Sequence, residues 1–211
     1  MTERPSTLVY VGAHLGGTLA TIYYRYDIVY AFEPDPITFR YLERDFSGAP
    51  GVTLVNAACA QEDGVAEFHL FNYRQSSSLS IGNPAYLQED SQAITVKTVN
   101  LMGFLSSHGV EYIDLYQSDI QGADLMVLKT IEPFVREKRI GMMEIETNWD
   151  GERLYTDFDN SLGSFRSFLE PEYYASHAFI GGPARHEYAR IEHITEYNTM
   201  EWDTVWLPTE E

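Results

Sequence analysis

Cysteine and long apolar runs are both scarce in this 211-residue chain. Cys59 is the only cysteine, which excludes an internal disulfide and a cysteine-built metal site. No apolar run approaches the roughly 20 residues that span a bilayer, and the glycines and His14 near the N-terminus are unlike a secretion signal. We therefore predict no membrane segment and a cytoplasmic location.

Basic residues are also few. Lysine and arginine number 14 against 32 aspartates and glutamates, which gives a net charge of -18. A field of that sign repels phosphate backbones, so nucleic acid is not a predicted partner. The acidity fits either an ordinary acidic cytosolic protein or adaptation to high salt. The six histidines show no helix-borne metal spacing such as HExxH, and no metal site is predicted.

Hydrophobic residues make up 44% of the chain, enough for the core of a single domain over residues 1–211. Strands separated by helices imply right-handed crossovers and a mostly parallel sheet with helices on both faces. Apolar runs predict strands over 7–11, 28–32, 52–57, 112–117, 140–145, 173–180 and 202–207. Two alternating segments, 65–71 and 94–99, predict a small β-hairpin insertion over about 64–100, whose loop could close over an acceptor as a lid.

The stretch LVYVGAHLGG, at residues 8–17, reads as a strand, a glycine turn and the start of a helix over 16–26. Gly12 and Gly16 allow the backbone to turn tightly and to approach a ligand. His14 interrupts the GxGxxG dinucleotide fingerprint, which weakens a pyrophosphate grip. Glu33 ends the next strand, where a carboxylate can accept both hydroxyl groups of a ribose. The turn alone could be a tight connection, but together with Glu33 it favours a nucleoside-bearing cofactor.

Five motifs in this order resemble the FkbM family of S-adenosylmethionine-dependent methyltransferases. They are VGAHLG at 11–16, AFEPDP at 31–36, VNAAC at 55–59, SSSLS at 76–80 and QSDIQGADLMVLK at 117–129. The resemblance implies a Rossmann-like class I methyltransferase fold, with a seven-stranded sheet and S-adenosylmethionine lying across the carboxyl ends of the strands.

Site residues follow from the same resemblance. Glu33 would hold the ribose, Asn56 and Ala57 would lie near the adenine, and Asp119 would sit beside the sulfonium. Asn56 could instead cap a strand end. The predicted cofactor-binding residues are Gly12, Ala13, His14, Gly16, Glu33, Pro34, Asn56, Ala57 and Asp119.

Three carboxylates are candidates for the chemistry. Asp119 is the leading candidate for a base or an orienting group, with a helix cap as its alternative role. Glu144 and Glu146 are two residues apart on a predicted strand, so both lie on one face, where they could share a proton at the substrate mouth. A solvated strand end is the alternative for this pair. Ser78 and Gln121 are predicted to contact the substrate.

The chain departs from the family pattern at two positions near Asp119. Gln117 stands where the family commonly has lysine, and the usual glutamate pair is replaced by Gln121 and Asp124. Gln121 cannot act as a base or carry charge. Among the aromatic residues, core packing explains most, although Tyr155 could line an acceptor pocket together with Tyr73, Tyr86 and Trp149.

The predicted function is methyl transfer from S-adenosylmethionine to a hydroxyl group of a small metabolite, a sugar or a glycan. One alternative, motivated by Gln117 and Gln121, is a noncatalytic binding or assembly module that keeps the cofactor site. A weaker one is a nucleotide-sugar or NAD enzyme, against which His14 counts. The acceptor and the oligomeric state, a homodimer included, stay open.

Overall fold

Strands and helices alternate along most of the chain. The computed structural model describes residues 4–71, 76–83, 92–148, 150, 155–182, 185–190 and 201–210, with backbone alone at 178–182, 185–190 and 201–202. The strands are β1 (Thr7–Val11), β2 (Ile28–Phe32), β3 (Val52–Val55), β4 (Ala58–Ala60), β5 (Gly64–Leu70), β6 (Gln92–Asn100), β7 (Ile113–Ser118), β8 (Ile140–Asn148), β9 (Tyr173–Gly182), β10 (Arg185–Arg190) and β11 (Glu201–Pro208). The helices are α1 (Leu19–Ile22), α2 (Pro36–Phe46), α3 (Leu101–Ser107), α4 (Asp124–Thr130), α5 (Glu132–Arg136) and α6 (Leu162–Leu169), and a 3-10 turn covers Tyr23–Arg25.

Eight of the strands form one sheet in the order β10-β9-β11-β8-β7-β1-β2-β3. The five strands from β8 to β3 are parallel, whereas β11, β9 and β10 are added in antiparallel pairings at one edge. The predicted Rossmann-like α/β fold class is confirmed, and its seven strands correspond to all members of this sheet except β10. The short edge strand β10 pairs with β9 alone and extends the sheet by one.

The parallel strands are covered on both faces. In β1, Val9 and Val11 pack into a core with α3, α4, α5 and α6, whereas Leu8 and Tyr10 pack into a second core with α1 and α2. Successive side chains of a strand point to opposite faces, so a strand buried on both sides reads as an uninterrupted apolar run.

The first helix is shorter than the sequence predicts. Helical hydrogen bonding begins at Leu19 and ends at Ile22, where a 3-10 turn takes over. Gly16 has φ +80°, a left-handed conformation that cannot belong to a right-handed helix, and Thr18 provides no side-chain cap. Within the described residues, no helix combines the length and apolar character needed to cross a bilayer.

The predicted hairpin insertion is present, since β5 and β6 pair in antiparallel fashion. They belong to a three-stranded sheet, because β4 joins β6 in parallel, and the sequence did not indicate this three-residue strand. Phe68, Val96 and Ala58 form the small core of this sheet. Of the predicted loop, residues 76–83 are described and 84–91 lie outside the described residues.

Candidate active site

A cavity of about 620 Å³ opens at the carboxyl ends of the parallel strands. Its walls come from the turn after β1, from Glu33 and Pro34 after β2, from 57–59 and from 119–121 after β7. Loops that follow parallel strands meet at the same edge of a sheet, which explains why segments far apart in sequence converge here.

The turn after β1 is held close to the turn after β7. Gly12 has φ +84°, and a Cβ at this position would overlap the backbone oxygen of Asp119. The Gly12 and Ala13 amides both donate to the Phe32 carbonyl, at 3.1 and 2.8 Å, which ties the turn to β2. Only glycine therefore permits this approach without displacing one of the two turns.

Gly12, Ala13 and His14 line the cavity, and their contact with the cofactor stays a prediction. Gly16 packs against the side chains of Phe46 and Leu42. Its lack of a Cβ lets the turn approach α2. A direct contact between Gly16 and the cofactor stays a prediction.

Glu33 is a buried carboxylate at the end of β2, with 6% of its surface exposed. One oxygen accepts the His14 amide at 2.9 Å and the other accepts the Asp35 amide at 2.8 Å. Burial raises the pKa of Glu33 to about 7, against the opposing effect of these two hydrogen bonds. Each oxygen retains capacity for another donor, such as a ribose hydroxyl.

Asn56 connects β3 to the end of β2. Its side-chain amide donates to the carbonyls of Glu33 and Pro34, at 2.8 and 3.1 Å. This arrangement matches the strand-end alternative, and a contact with adenine stays a prediction. Ala57 and Pro34 line the cavity.

Apolar residues of the insertion, one on β5 and one in the segment 76–83, also line the cavity. They are Phe68 and Leu79, and neither was predicted as a site residue. The alternation of apolar residues in β5 indicates which residues of the strand point inward, but not that one of them reaches a cavity.

Three side chains meet beside the cavity, and two of them, Asp119 and Gln121, line it. The Gln121 amide nitrogen donates to Asp119 Oδ1 at 2.6 Å and to Glu146 Oε1 at 2.9 Å. The two carboxyl groups therefore accept from the same amide nitrogen. Asp119 is exposed to the cavity, yet the surrounding protein desolvates its carboxylate and raises its pKa, against the opposing effect of hydrogen bonding with Gln121 and Glu146.

Glu144 and Glu146 lie on one face of β8, as their spacing predicts, but they have different neighbours. Glu144 Oε1 accepts a long, 3.4 Å hydrogen bond from the Gln117 amide, and burial raises its pKa. Asp203, which the sequence did not indicate, lies opposite Glu146 in the pairing of β11 with β8. Burial, and then the charge of Asp119, raise the pKa of Asp203 to about 7.

Residues from two distant segments support the turn at 119–122. The Ser78 hydroxyl donates to the Gln121 carbonyl at 2.7 Å, and the buried ring of Tyr155 lies against Gly122. Ser77 rather than Ser78 lines the cavity, so a substrate contact by Ser78 stays a prediction. The other aromatic candidates, Tyr73, Tyr86 and Trp149, lie outside the described residues.

Asp124 supports the same turn from the first residue of α4. One carboxyl oxygen accepts the Ser118 hydroxyl at 2.5 Å and the Ile120 amide at 3.1 Å, and the other accepts the Asn160 amide at 3.2 Å. The side chain is completely buried, and desolvation raises its pKa to about 7. Asp124 therefore acts in the structure as an internal tie for the segment that carries Asp119.

Comparisons with known proteins agree with this geometry. The family described as the methyltransferase FkbM domain matches residues 11–176. A search of curated proteins found no match. A crystal structure of methyltransferase FkbM from Methylobacillus flagellatus KT is 15% identical with a TM-score of 0.55, covering 96% of this chain and 43% of that one. This chain thus spans less than half the length of that protein.

Two further structures share the fold over nearly their whole length. An rRNA methylase from Streptococcus thermophilus is 13% identical with a TM-score of 0.53, covering 97% of this chain and 87% of that one. A methyltransferase structure from Streptococcus mutans is in complex with SAH (S-adenosylhomocysteine), the demethylated form of S-adenosylmethionine. It is 10% identical with a TM-score of 0.52, covering 99% of this chain and 100% of that one. At these identities the likeness extends to the fold alone.

Proposed function

The chain belongs to the FkbM methyltransferase family, and on that premise we propose that it methylates a hydroxyl group of a small metabolite, a sugar or a glycan. The methyl donor is S-adenosylmethionine, and the Streptococcus mutans structure with the same fold contains its demethylated product. The nature of the acceptor is the proposed part.

The cavity suits a nucleoside-bearing sulfonium compound. Its volume of about 620 Å³ lies within the range of roughly 300–1,000 Å³ that is usual for small-molecule sites. Glu33 offers a buried carboxylate for ribose hydroxyls, and Phe68 and Leu79 offer an apolar surface for the adenine. Asp119, which also lines the cavity, provides negative charge for the positively charged sulfur.

S-adenosylmethionine supplies a methyl group that its sulfonium already activates. The protein's task is then to align the acceptor, which in well-oriented cases contributes roughly 7–11 kcal/mol. A hydroxyl acceptor must also lose its proton, and a base within reach accelerates that step. The observation that supports the proposal is the Gln121 amide, which binds the carboxyl groups of Asp119 and Glu146; Asp119 lines the cavity and would accept the proton of the acceptor hydroxyl.

Two measurements test this function. Calorimetry should detect binding of S-adenosylmethionine or its demethylated product below millimolar concentration. Transfer of a labelled methyl group should then be measured over a panel of sugars, glycans and hydroxylated metabolites, with matched amines in parallel. We expect label in an alkali-stable ether, and a drop in kcat of about 100-fold or more in Asp119→Asn.

Asp45→Asn is the matched control, since Asp45 lies on α2 and pairs with Arg44 at the surface. Label only in the amines would contradict the acceptor class. Cofactor binding with no turnover on any acceptor would favour the noncatalytic alternative. Absence of binding by either form of the cofactor would exclude the function altogether.

A further inference from the structure

Gln121 stands between the two carboxyl groups beside the cavity. We propose that Gln121 is a positioning residue that holds Asp119 and Glu146 together as one base sharing a single proton. This inference rests on the proposed function, because the base would receive the proton of the acceptor hydroxyl. It also reverses the expectation from sequence, in which glutamine at this position suggested that a base had been lost.

The orientation of the Gln121 amide is determined by its neighbours. Its nitrogen lies 2.6 Å from Asp119 Oδ1 and 2.9 Å from Glu146 Oε1, and its oxygen lies 2.7 Å from the Tyr155 hydroxyl. A primary amide has two N–H donors, one for each carboxyl group. The reversed orientation would place the amide oxygen against two carboxyl oxygens, so the amide serves as a double donor.

The backbone keeps this side chain in place. Gln121 has φ +59°, a left-handed conformation that is uncommon outside glycine, and its carbonyl accepts the Ser78 hydroxyl at 2.7 Å. Gly122 follows with φ +93°, and a Cβ there would overlap the ring of Tyr155. Backbone conformations of this kind persist where the surrounding contacts over-determine them, which is typical of functional sites.

Electrostatics explain why the two carboxyl groups share a proton. Two ionised carboxylates that bind the same amide nitrogen lie close enough to repel each other, and the pair therefore retains one proton over a range of pH. Desolvation raises the pKa of Asp119, whereas the Gln121 hydrogen bond, the nearby imidazole of His14 and hydrogen bonding with Glu146 lower it. Asp119 is therefore the member of the pair that ionises first. Among the described residues, three further titratable groups interact electrostatically with Asp119, namely Tyr10, Asp124 and Asp203. Glu144 interacts with Tyr10 and Asp203.

Atoms and charges balance in the transfer when the pair of carboxyl groups starts with one negative charge. As the acceptor oxygen forms its bond to the methyl carbon, the bond from that carbon to sulfur breaks and its electron pair stays on sulfur. The hydroxyl proton passes to the ionised carboxyl group, which leaves the pair neutral until it releases the proton to water. A glutamate at position 121 would instead bring a third carboxyl group to the same point and add to the repulsion.

Carbon NMR of the cofactor-free protein, labelled at the Asp and Glu carboxyl carbons, tests the proposal. Asp119→Asn and Glu146→Gln assign the two signals. We expect these signals to titrate together in two separated steps. Gln121→Met keeps the size of the side chain but removes both donors, so we expect the upper step to rise by about one pH unit or more.

Tyr155→Phe leaves residue 121 unchanged but removes the hydroxyl group that binds its amide oxygen. It should also raise the pH of the upper step, by less than Gln121→Met does. Gln117→Met, at the other glutamine that faces a carboxylate of β8, should leave both steps in place. The Glu33 signal is an internal reference for folding, because its hydrogen-bond partners are the amides of His14 and Asp35.

Independent titration of Asp119 and Glu146 in the wild type would overturn the proposal, as would an unchanged upper step in Gln121→Met. The titration requires neither cofactor nor acceptor. It can therefore fail while methyl transfer is observed, and it can succeed where no acceptor has been found.

Discussion

Cofactor affinity should depend on the ionisation of Glu33. The carboxyl group has a pKa of about 7, and it accepts ribose hydroxyls most strongly when ionised. With this pKa, the protonated fraction falls from about nine tenths at pH 6 to about one tenth at pH 8. If the ionised form is the one that binds, the Kd of the demethylated cofactor falls about tenfold over this range.

The sign of the effect follows from proton linkage. Binding favours the ionised carboxylate, so complex formation near pH 6 releases a proton, and affinity increases as the pH rises. Calorimetry in two buffers of different ionisation enthalpy measures both the Kd and the number of protons released. Glu33→Gln should weaken binding by about 1.5–3 kcal/mol, or about 10- to 150-fold, and should abolish the pH dependence.

Glu43→Gln is the matched control, because Glu43 is an exposed glutamate on α2. It should bind the cofactor like the wild type at each pH. An affinity that is flat or falls between pH 6 and pH 8 would show that binding does not require the ionised form of Glu33. Persistence of the pH dependence in Glu33→Gln would assign it to another group.

Two further substitutions test how the site is held together. Gly12→Ala should destabilise the fold by about 2 kcal/mol or more. Gly17→Ala is the control and should leave the melting temperature nearly unchanged, because no atom lies within 4 Å of the added methyl group. Equal melting temperatures of the two variants would contradict the packing of Gly12 on Asp119. Asn160→Ala should lower the free energy of unfolding, measured with denaturant, by about 2–4 kcal/mol, because the buried Asp124 carboxyl group loses a hydrogen-bond donor. A decrease below about 0.5 kcal/mol would show that this hydrogen bond contributes little to stability.

The sequence predicts the strands of the fold well where both faces of the strand are buried. Strands β1 and β2 have their predicted boundaries, since an apolar run ends at Gly12 in one case and at Glu33 in the other. The strands β4 and β10 were not predicted, because three residues are too few for a periodic pattern and an edge strand needs no continuous apolar run.

The site was readable only in part, for a different reason. Glu33, Asp119 and Gln121 stand in motifs of a known family, so their positions at the cavity could be predicted. Asp203 reaches the same region from a segment far along the chain, and sequence spacing carries no information on that convergence. Tyr155 was a candidate for an acceptor pocket, but its hydrogen bond to Gln121 could not be predicted. The interpretation of Gln121 also changed, from a residue that cannot act as a base to one that binds two carboxyl groups. These two groups come together only because β7 and β8 lie side by side in the sheet.

A crystal structure of the protein with the demethylated cofactor would show whether the cavity beside Glu33 and Asp119 is the cofactor site. We predict that the ribose hydroxyls lie within hydrogen-bond distance of the Glu33 carboxylate, the adenine lies against Phe68 and Leu79, and the sulfur faces Asp119 and Gln121. A cofactor bound elsewhere, or bound here with its ribose away from Glu33, would contradict the account.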